Sequence, residues 1–228
     1  MSYDSLLFDV DGVLLGFHPN HPTIYRQAVV ATFDAFDVSP STADVDAFIA
    51  GAKIDDMRHV CDRLGVDFDE FWPKREANAS RLQCGMMNRG ERVPYDDCAV
   101  LSDLAAHHRV GVVSSNQHET VEYMLEQFEF AHLFETVYGR DPTVEGFGRT
   151  KPDTYYIEQA LADLGVTGGL YVGDSACDVR AAHDAGLDSV FVRRSHREGY
   201  DLPEEPTYEV TSLTDLPNIP GVASEFSA

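Results

Sequence analysis

The stretch LLFDVDGVLL, residues 6–15, starts as a buried strand and is interrupted by two aspartates, Asp9 and Asp11, with Gly12 directly behind them. Its apolar residues fit a strand covered on both faces, as in a parallel sheet. In an extended chain, residues two apart point the same way, so both carboxylates can meet at one spot where the strand ends. Two carboxylates there repel unless a cation joins them or one holds a proton. Oxygen-only ligation of this kind suits Mg2+, which takes one or two carboxylates, several waters and a substrate phosphate.

The same plan recurs along the chain. SLLFDV, RVGVVSS, ETVYGR, GLYVGD and DSVFVRR are apolar runs of strand length, and helical patterns follow them. This alternation predicts right-handed crossovers and an α/β core, a Rossmann-like parallel sheet with helices on both faces. Between the first run and RVGVVSS the texture changes: from about Pro19 to Arg89 the apolar spacing is helical and no strand stands out. Gly51 and Gly65 are placed to end two of these helices, and Ser41 or Thr42 to begin another. Val60, Leu64, Phe68 and Phe71 are expected in a core. The predicted organisation is a core of residues 1–17 and 91–228, with an all-helical insertion over residues 18–90.

The chain has 228 residues, 43% of them hydrophobic, enough for one sizeable core and an accessory domain. No run of about 18 apolar residues exists, and the N-terminus lacks a basic and apolar leader, so a soluble, cytoplasmic protein is expected. The formal net charge is -22, with three lysines (Lys53, Lys74, Lys151) against fourteen arginines. Such a surface repels nucleic acid and anionic membranes. It is tolerable where salt screens it, which points to a salt-rich cytosol such as that of halophilic archaea. Cys61, Cys84, Cys98 and Cys177 form no metal-ligand spacing and are expected as buried free thiols.

Ligands of an open α/β sheet bind beyond the carboxyl ends of its strands, so polar residues that close an apolar run carry the chemistry. Besides Asp9 and Asp11 there are three such places. Ser114, Ser115 and Asn116 supply donors after VGVV, just before a helix, where an anion can be held. Lys151 precedes a helix with Pro152 near its first turn, and alone it reads as a surface charge. Asp174 and Asp178 follow Gly173 at a spacing of four, and alone Asp174 reads as a helix cap.

Taken in order, Asp9-Val10-Asp11-Gly12-Val13-Leu14, Ser114, Lys151 and Gly173-Asp174-Ser175 through Asp178 resemble the four motifs of the haloacid dehalogenase superfamily of phosphatases and phosphotransferases. The resemblance spans nearly the whole chain. DVRAAHDAG, residues 178–186, looks like the following helix of the phosphoglycolate phosphatase and β-phosphoglucomutase branch, and the helical insertion sits where that branch carries a type 1 cap.

The resemblance implies a Mg2+-dependent phosphatase acting on a small phosphorylated metabolite. In it Asp9 is the nucleophile that becomes an aspartyl-phosphate, and Asp11 is the acid and then the base. Crowding by Asp9 and Asp174 is expected to raise the Asp11 pKa. Mg2+ would be held by the Asp9 and Asp174 carboxylates and the Asp11 backbone carbonyl, with Asp178 orienting Lys151 or a metal-bound water. Ser114 and Lys151 would bind the transferring phosphoryl group. Ser114 is preferred because the apolar run stops at Val113; a slip of one residue makes Ser115-Asn116 the pair. His18 and His21 lie close to the two aspartates in sequence, His21 about where β-phosphoglucomutase has a histidine that assists its acid/base aspartate although the stretch around it is otherwise different, and Lys53 lies in a loop that resembles the branch's substrate-specificity loop. A β-phosphoglucomutase-type phosphotransferase is the second reading, although Ile54 stands where that enzyme's cap arginine is expected. Dehalogenases lack the second aspartate that Asp11 supplies. A phospho-receiver module shares the acceptor Asp, hydroxyl and Lys but is about half as long. Arg193 and Arg194 are assigned to surface ion pairs.

Overall fold

The structure, a computed structural model, describes residues 2–16, 21–49 and 52–222, without the side chains of His21 and Pro22. Six strands form one sheet: β1 Ser5–Phe8, β2 Arg109–Gln117, β3 Thr136–Arg140, β4 Leu170–Gly173, β5 Asp188–Val192 and β6 Tyr208–Val210. All pair in parallel, in the order β3-β2-β1-β4-β5-β6. The chain therefore builds outward from β1 on one side and then returns to build outward on the other. The crevice at the carboxyl ends of β1 and β4 lies where that direction reverses, the place at which such sheets bind ligands.

The nine helices of the described residues are α1 His21–Asp34, α2 Thr42–Asp46, α3 Ile54–Leu64, α4 Phe68–Asn88, α5 Leu101–His107, α6 His118–Gln127, α7 Val144–Gly148, α8 Tyr155–Leu164 and α9 Ala176–Asp184. Alternation along the strands divides the core into two layers. Leu6, Phe8, Val112 and Val172 pack with Leu104 of α5 and Val121 of α6. Leu7, Val113 and Tyr171 face the other way, onto Ile157 of α8 and Ala181 of α9. This two-sided cover is what the continuous apolar runs predict. The edge strand β6 was not foreseen, because three residues with an exposed Glu209 at the centre carry no readable pattern.

Helices α1 to α4 lie between β1 and β2 and bury a third cluster of their own, with Phe33, Phe48, Met57, Phe71 and Trp72 at its centre. Val60 and Phe68 belong to it, and Leu64 packs partly buried against it. Ser41 caps α2 in a capping box with Asp44, and Gly65 ends α3 in the left-handed conformation, φ +73°. Gly51 lies outside the described residues. All four cysteines are free; Cys61 and Cys98 are buried and Cys84 is half-buried, but Cys177 is exposed, because it lies on the first turn of α9 where that helix faces the crevice. Among the described residues no helix is long and apolar enough to cross a membrane.

Candidate active site

At the end of β1 the Asp9 N–H still donates to Val172 O of β4, at 2.9 Å, so Asp9 leaves the sheet with its backbone fixed. Three residues later the chain turns through Gly12, φ +84°. A Cβ on Gly12 would lie 2.3 Å from Asp174 Oδ2, so the residue must be glycine both for its backbone angle and for this approach. The Asp9 carboxylate is buried, and its Oδ1 lies 3.0 Å from Lys151 Nζ.

Lys151 is no surface charge: its side chain is 5% exposed, with Nζ 2.6 Å from Asp178 Oδ1 and donating to Tyr171 Oη at 2.7 Å. Burial works against the ammonium, but Asp178 and Asp9 outweigh it and hold the Lys151 pKa well above its ordinary value. Helix α8 opens only at Tyr155, after Thr154, so Pro152 precedes that helix and does not occupy its first turn.

The cap of α9 is Ser175, completed by Asp178, whose Oδ2 accepts from Asp174 N, Ser175 N and Ser175 Oγ at 3.1, 2.9 and 2.7 Å. Asp174 is thereby relieved of capping. Its Oδ2 instead meets His196 Nε2 at 2.6 Å and Arg197 Nε at 3.0 Å. Both come from the short 3-10 helix Ser195–Arg197, in the stretch where only surface pairing was expected. Arg193 does pair with exposed Glu209. Arg194 does not stay at the surface: it is buried, forks onto Asp97 at 2.6 and 3.0 Å and donates to Val13 O at 2.7 Å, because the loop after β1 leaves that carbonyl to be satisfied.

Asp11 is clasped from both sides. Oδ1 pairs with Arg92 Nη2, and Oδ2 accepts from Asn116 Nδ2 at 2.8 Å. Arg92 is fully buried and also donates to Gln83 Oε1 at 3.3 Å, while Asn116 Nδ2 donates to the same oxygen at 2.8 Å. A picture of Asp11 crowded by acids alone thus omits two donors. Strand β2 does not stop at Val113; it continues to Gln117 through a register shift against β3. Ser114 is buried, its Oγ accepting from Asn116 N at 3.2 Å, and both Ser114 and Ser115 line the crevice.

A profile of the haloacid dehalogenase-like hydrolases matches residues 6–192. The chain belongs to that family. Among curated proteins, this hydrolase is 28% identical over 213 residues to an N-acetylmuramic acid 6-phosphate phosphatase of Pseudomonas aeruginosa, covering 90% of this chain and 86% of that one. It is 27% identical over 210 residues to a phosphoglycolate phosphatase of Colwellia psychrerythraea, covering 86% and 87%. Its fold is that of CbbY from Rhodobacter sphaeroides, crystallised in complex with phosphate: TM-score 0.66 at 19% identity, covering 96% of this chain and 99% of that one.

In the hydrolase these side chains border a cleft of about 220 Å³ to which α1 adds Tyr25. Among the described residues, Asp9, Asp174 and Asp178 each offer a carboxylate oxygen, all within 4.8 Å of one another. Oδ1 of Asp9 and Oδ1 of Asp178 are buried and share a single counter-charge, the Lys151 ammonium, at 3.0 and 2.6 Å. Three hard, anionic oxygens this close together, with one ammonium among them, fit a small divalent cation. Lys53 is exposed at the start of α3 and is not among the described residues lining the cleft; the His21 side chain and His18 lie outside the described residues.

Burial foremost, and then Asp178, Asp174 and Asp11, push the Asp9 carboxyl up to about 7, against the pull of Lys151. The metal-free folded chain thus binds more protons than the unfolded chain between the ordinary carboxylate range and about pH 7. Stability from this proton is fully present at lower pH and is lost as pH rises through 7. The metal-free protein should melt roughly 5 °C or more lower at pH 8 than at pH 5. Calorimetric scans in EDTA check this, and Mg2+ should recover more stability at pH 8 than at pH 5.

A second arrangement has the look of a serine hydrolase: Ser189 Oγ lies 2.9 Å from His183 Nε2, and His183 Nδ1 lies 2.6 Å from Glu204 Oε1. Ser189 is buried on β5 and accepts from Thr207 N at 3.0 Å, so this relay ties β5 to the segment before β6 and meets no substrate.

Proposed function

We propose that the protein is a Mg2+-dependent phosphatase that hydrolyses a small phosphomonoester through an aspartyl-phosphate, with phosphoglycolate-like compounds as the substrate class. The class of reaction, hydrolysis of phosphoric monoesters, is that of the curated relatives. The observation that carries the reading is the position of Asp9: buried at the base of the cleft, its oxygen beside Lys151, and Asp11 two residues on.

An Asp9 carboxylate oxygen attacks phosphorus while the ester oxygen leaves and takes a proton from Asp11. Asp11, now ionised, takes a proton from water, whose oxygen attacks the same phosphorus and returns Asp9 as a free carboxylate. Lys151 and Ser114 hold the transferring oxygens, with Ser115 beside them. Asp178 positions Lys151, and Arg92 and Asn116 fix the direction in which Asp11 delivers its proton. Asp9, Asp174 and the Asp11 carbonyl would hold Mg2+, which would supply charge neutralisation at the phosphoryl oxygens. The helices of residues 18–90 act as a cap over the core of residues 1–17 and 91–228 and exclude water from the cleft.

The test is hydrolysis of p-nitrophenyl phosphate, followed by a panel of phosphorylated metabolites with Mg2+ at high salt. Turnover should vanish in EDTA and return with Mg2+; undiminished turnover in EDTA would remove the metal from the scheme. Isomerisation of β-glucose 1-phosphate without phosphate release would instead identify a mutase.

We further propose that the acidic surface is an adaptation to high salt, as in halophilic archaea. The net charge of -22 supports this reading. The melting temperature should fall by roughly 10 °C or more between 2 M salt and 50 mM. An unchanged melting temperature with full activity would refute the adaptation.

A further inference from the structure

Behind the cleft, where α4 meets the ends of β2 and β3, three charged side chains are shut away from water. Arg75, Glu76 and Arg140 have side chains 5%, 2% and 6% exposed. Glu76 pairs with Arg75 through Oε1 and with Arg140 Nη1 through Oε2, at 2.6 Å; Gln117 Nε2 donates to the same Oε2 at 2.8 Å. Two guanidiniums therefore share one carboxylate. The other acid that acts on Tyr25, Asp11, already pairs with Arg92, so this cluster, taken by itself, holds one positive charge more than negative. The surplus has a visible end: Arg75 Nε is buried and has no hydrogen-bond partner. A buried charge without a counter-charge is costly, and a fold keeps one where a ligand supplies the missing partner.

The Tyr25 side chain links this cation to the cleft. The Arg75 guanidinium lies 5.6 Å from the ring centre of Tyr25, and Tyr25 lines the cleft beside Asp9, Asp11 and Lys151. We propose that Tyr25, backed by Arg75 and Arg140, is the subsite for a carboxylate on the leaving-group side of the substrate. The proposal rests on the phosphatase reading above, which places the phosphoryl group between Asp9, Ser114 and Lys151. A single surplus charge matches a monoanion; a second phosphate would bring a negative charge that nothing here answers. The cleft of about 220 Å³ suits a small molecule. The compounds named for the two curated relatives, N-acetylmuramic acid 6-phosphate and phosphoglycolate, are both phosphomonoesters that carry a carboxylate.

The experiment compares kcat/KM for 2-phosphoglycolate with that for 2-hydroxyethyl phosphate, which has a neutral hydroxymethyl group in place of the carboxylate. The wild-type ratio should be roughly tenfold or more and reside in KM, as expected for one charge-assisted contact. In Arg75→Met and in Tyr25→Phe the ratio should fall towards one, and because each ratio is taken within one protein, losses of folding or metal cancel. A wild-type ratio near one, an unchanged ratio in both variants, or a preference for a bisphosphate would overturn the subsite. Hydrolysis of p-nitrophenyl phosphate alongside any of these results would leave the phosphatase reading standing. If no phosphomonoester is turned over, that reading falls, and calorimetry decides the subsite: wild-type protein should bind phosphoglycolate about tenfold more tightly than inorganic phosphate and Arg75→Met should not. Equal affinities in the wild type would sink it.

Discussion

Asp9→Asn should give a folded protein that no longer hydrolyses p-nitrophenyl phosphate, with kcat lowered on the order of 10⁴-fold or more. The amide nitrogen cannot form the acyl-phosphate, and the amide oxygen is a poor nucleophile, so no covalent step remains. The fold should survive for a reason written in the site itself. Burial and three neighbouring carboxylates push the Asp9 carboxyl up to about 7, so a neutral amide at this position relieves repulsion in the metal-free protein. Above pH 7 in EDTA the variant should melt at or above the wild-type temperature, while Mg2+ should stabilise it less. Full turnover by Asp9→Asn would dismiss the nucleophile.

Lys151→Met should be as damaging to activity and, unlike Asp9→Asn, damaging to the fold. The ammonium lies 3.0 Å from Asp9 and 2.6 Å from Asp178, both buried. Removing the cation leaves two carboxylates shut away with no charge between them, at a cost of about 3–5 kcal/mol. The α9 cap suffers with it, because the same Asp178 closes the capping box with Ser175. Turnover should fall roughly 10³-fold even when Mg2+ restores part of the stability, since a phosphoryl oxygen loses its fixed partner. Urea unfolding with and without Mg2+, set against initial rates, separates the two losses. A variant of wild-type stability in EDTA would show that the pairing contributes nothing to the fold.

The sheet and three of the four motif positions could be read because each of those residues stands where an apolar run stops, whereas Lys151 lies in a loop and was legible only from its order among the other motifs. That signal is local: Asp9 and Asp11 after SLLF, Ser114 after VGVV, and Asp174 after LYVG each need only a few neighbours to be noticed. The partners of these residues carry no such mark. Arg92 meets Asp11 across 81 positions of sequence and sits between Glu91 and Val93 in a stretch without periodicity. His196 and Arg197 reach Asp174 from a segment whose charges look solvated, and Gln83 and Tyr25 fall at positions that a helical pattern fills with ordinary amphipathic residues. Ser175 displaced Asp174 as the helix cap because two residue types with equal capping tendency stand side by side, and only the fold chooses between them. Local pattern shows where a strand delivers chemistry; it does not show what closes around it.

The strand order has a consequence in time. Asp9 lies on the first strand to be made, yet that strand becomes central only after β2 and β4 have paired on either side of it. Its counter-charge Lys151 and its neighbouring acids Asp174 and Asp178 follow more than 140 residues later. At ribosomal rates of about 5–20 residues per second, Asp9 is synthesised roughly 7–34 s before them. A nascent chain therefore carries Asp9 long before it carries the lysine and the two carboxylates that surround it. The site is complete only with β4 in place beside β1, because Asp174 and Asp178 follow that strand.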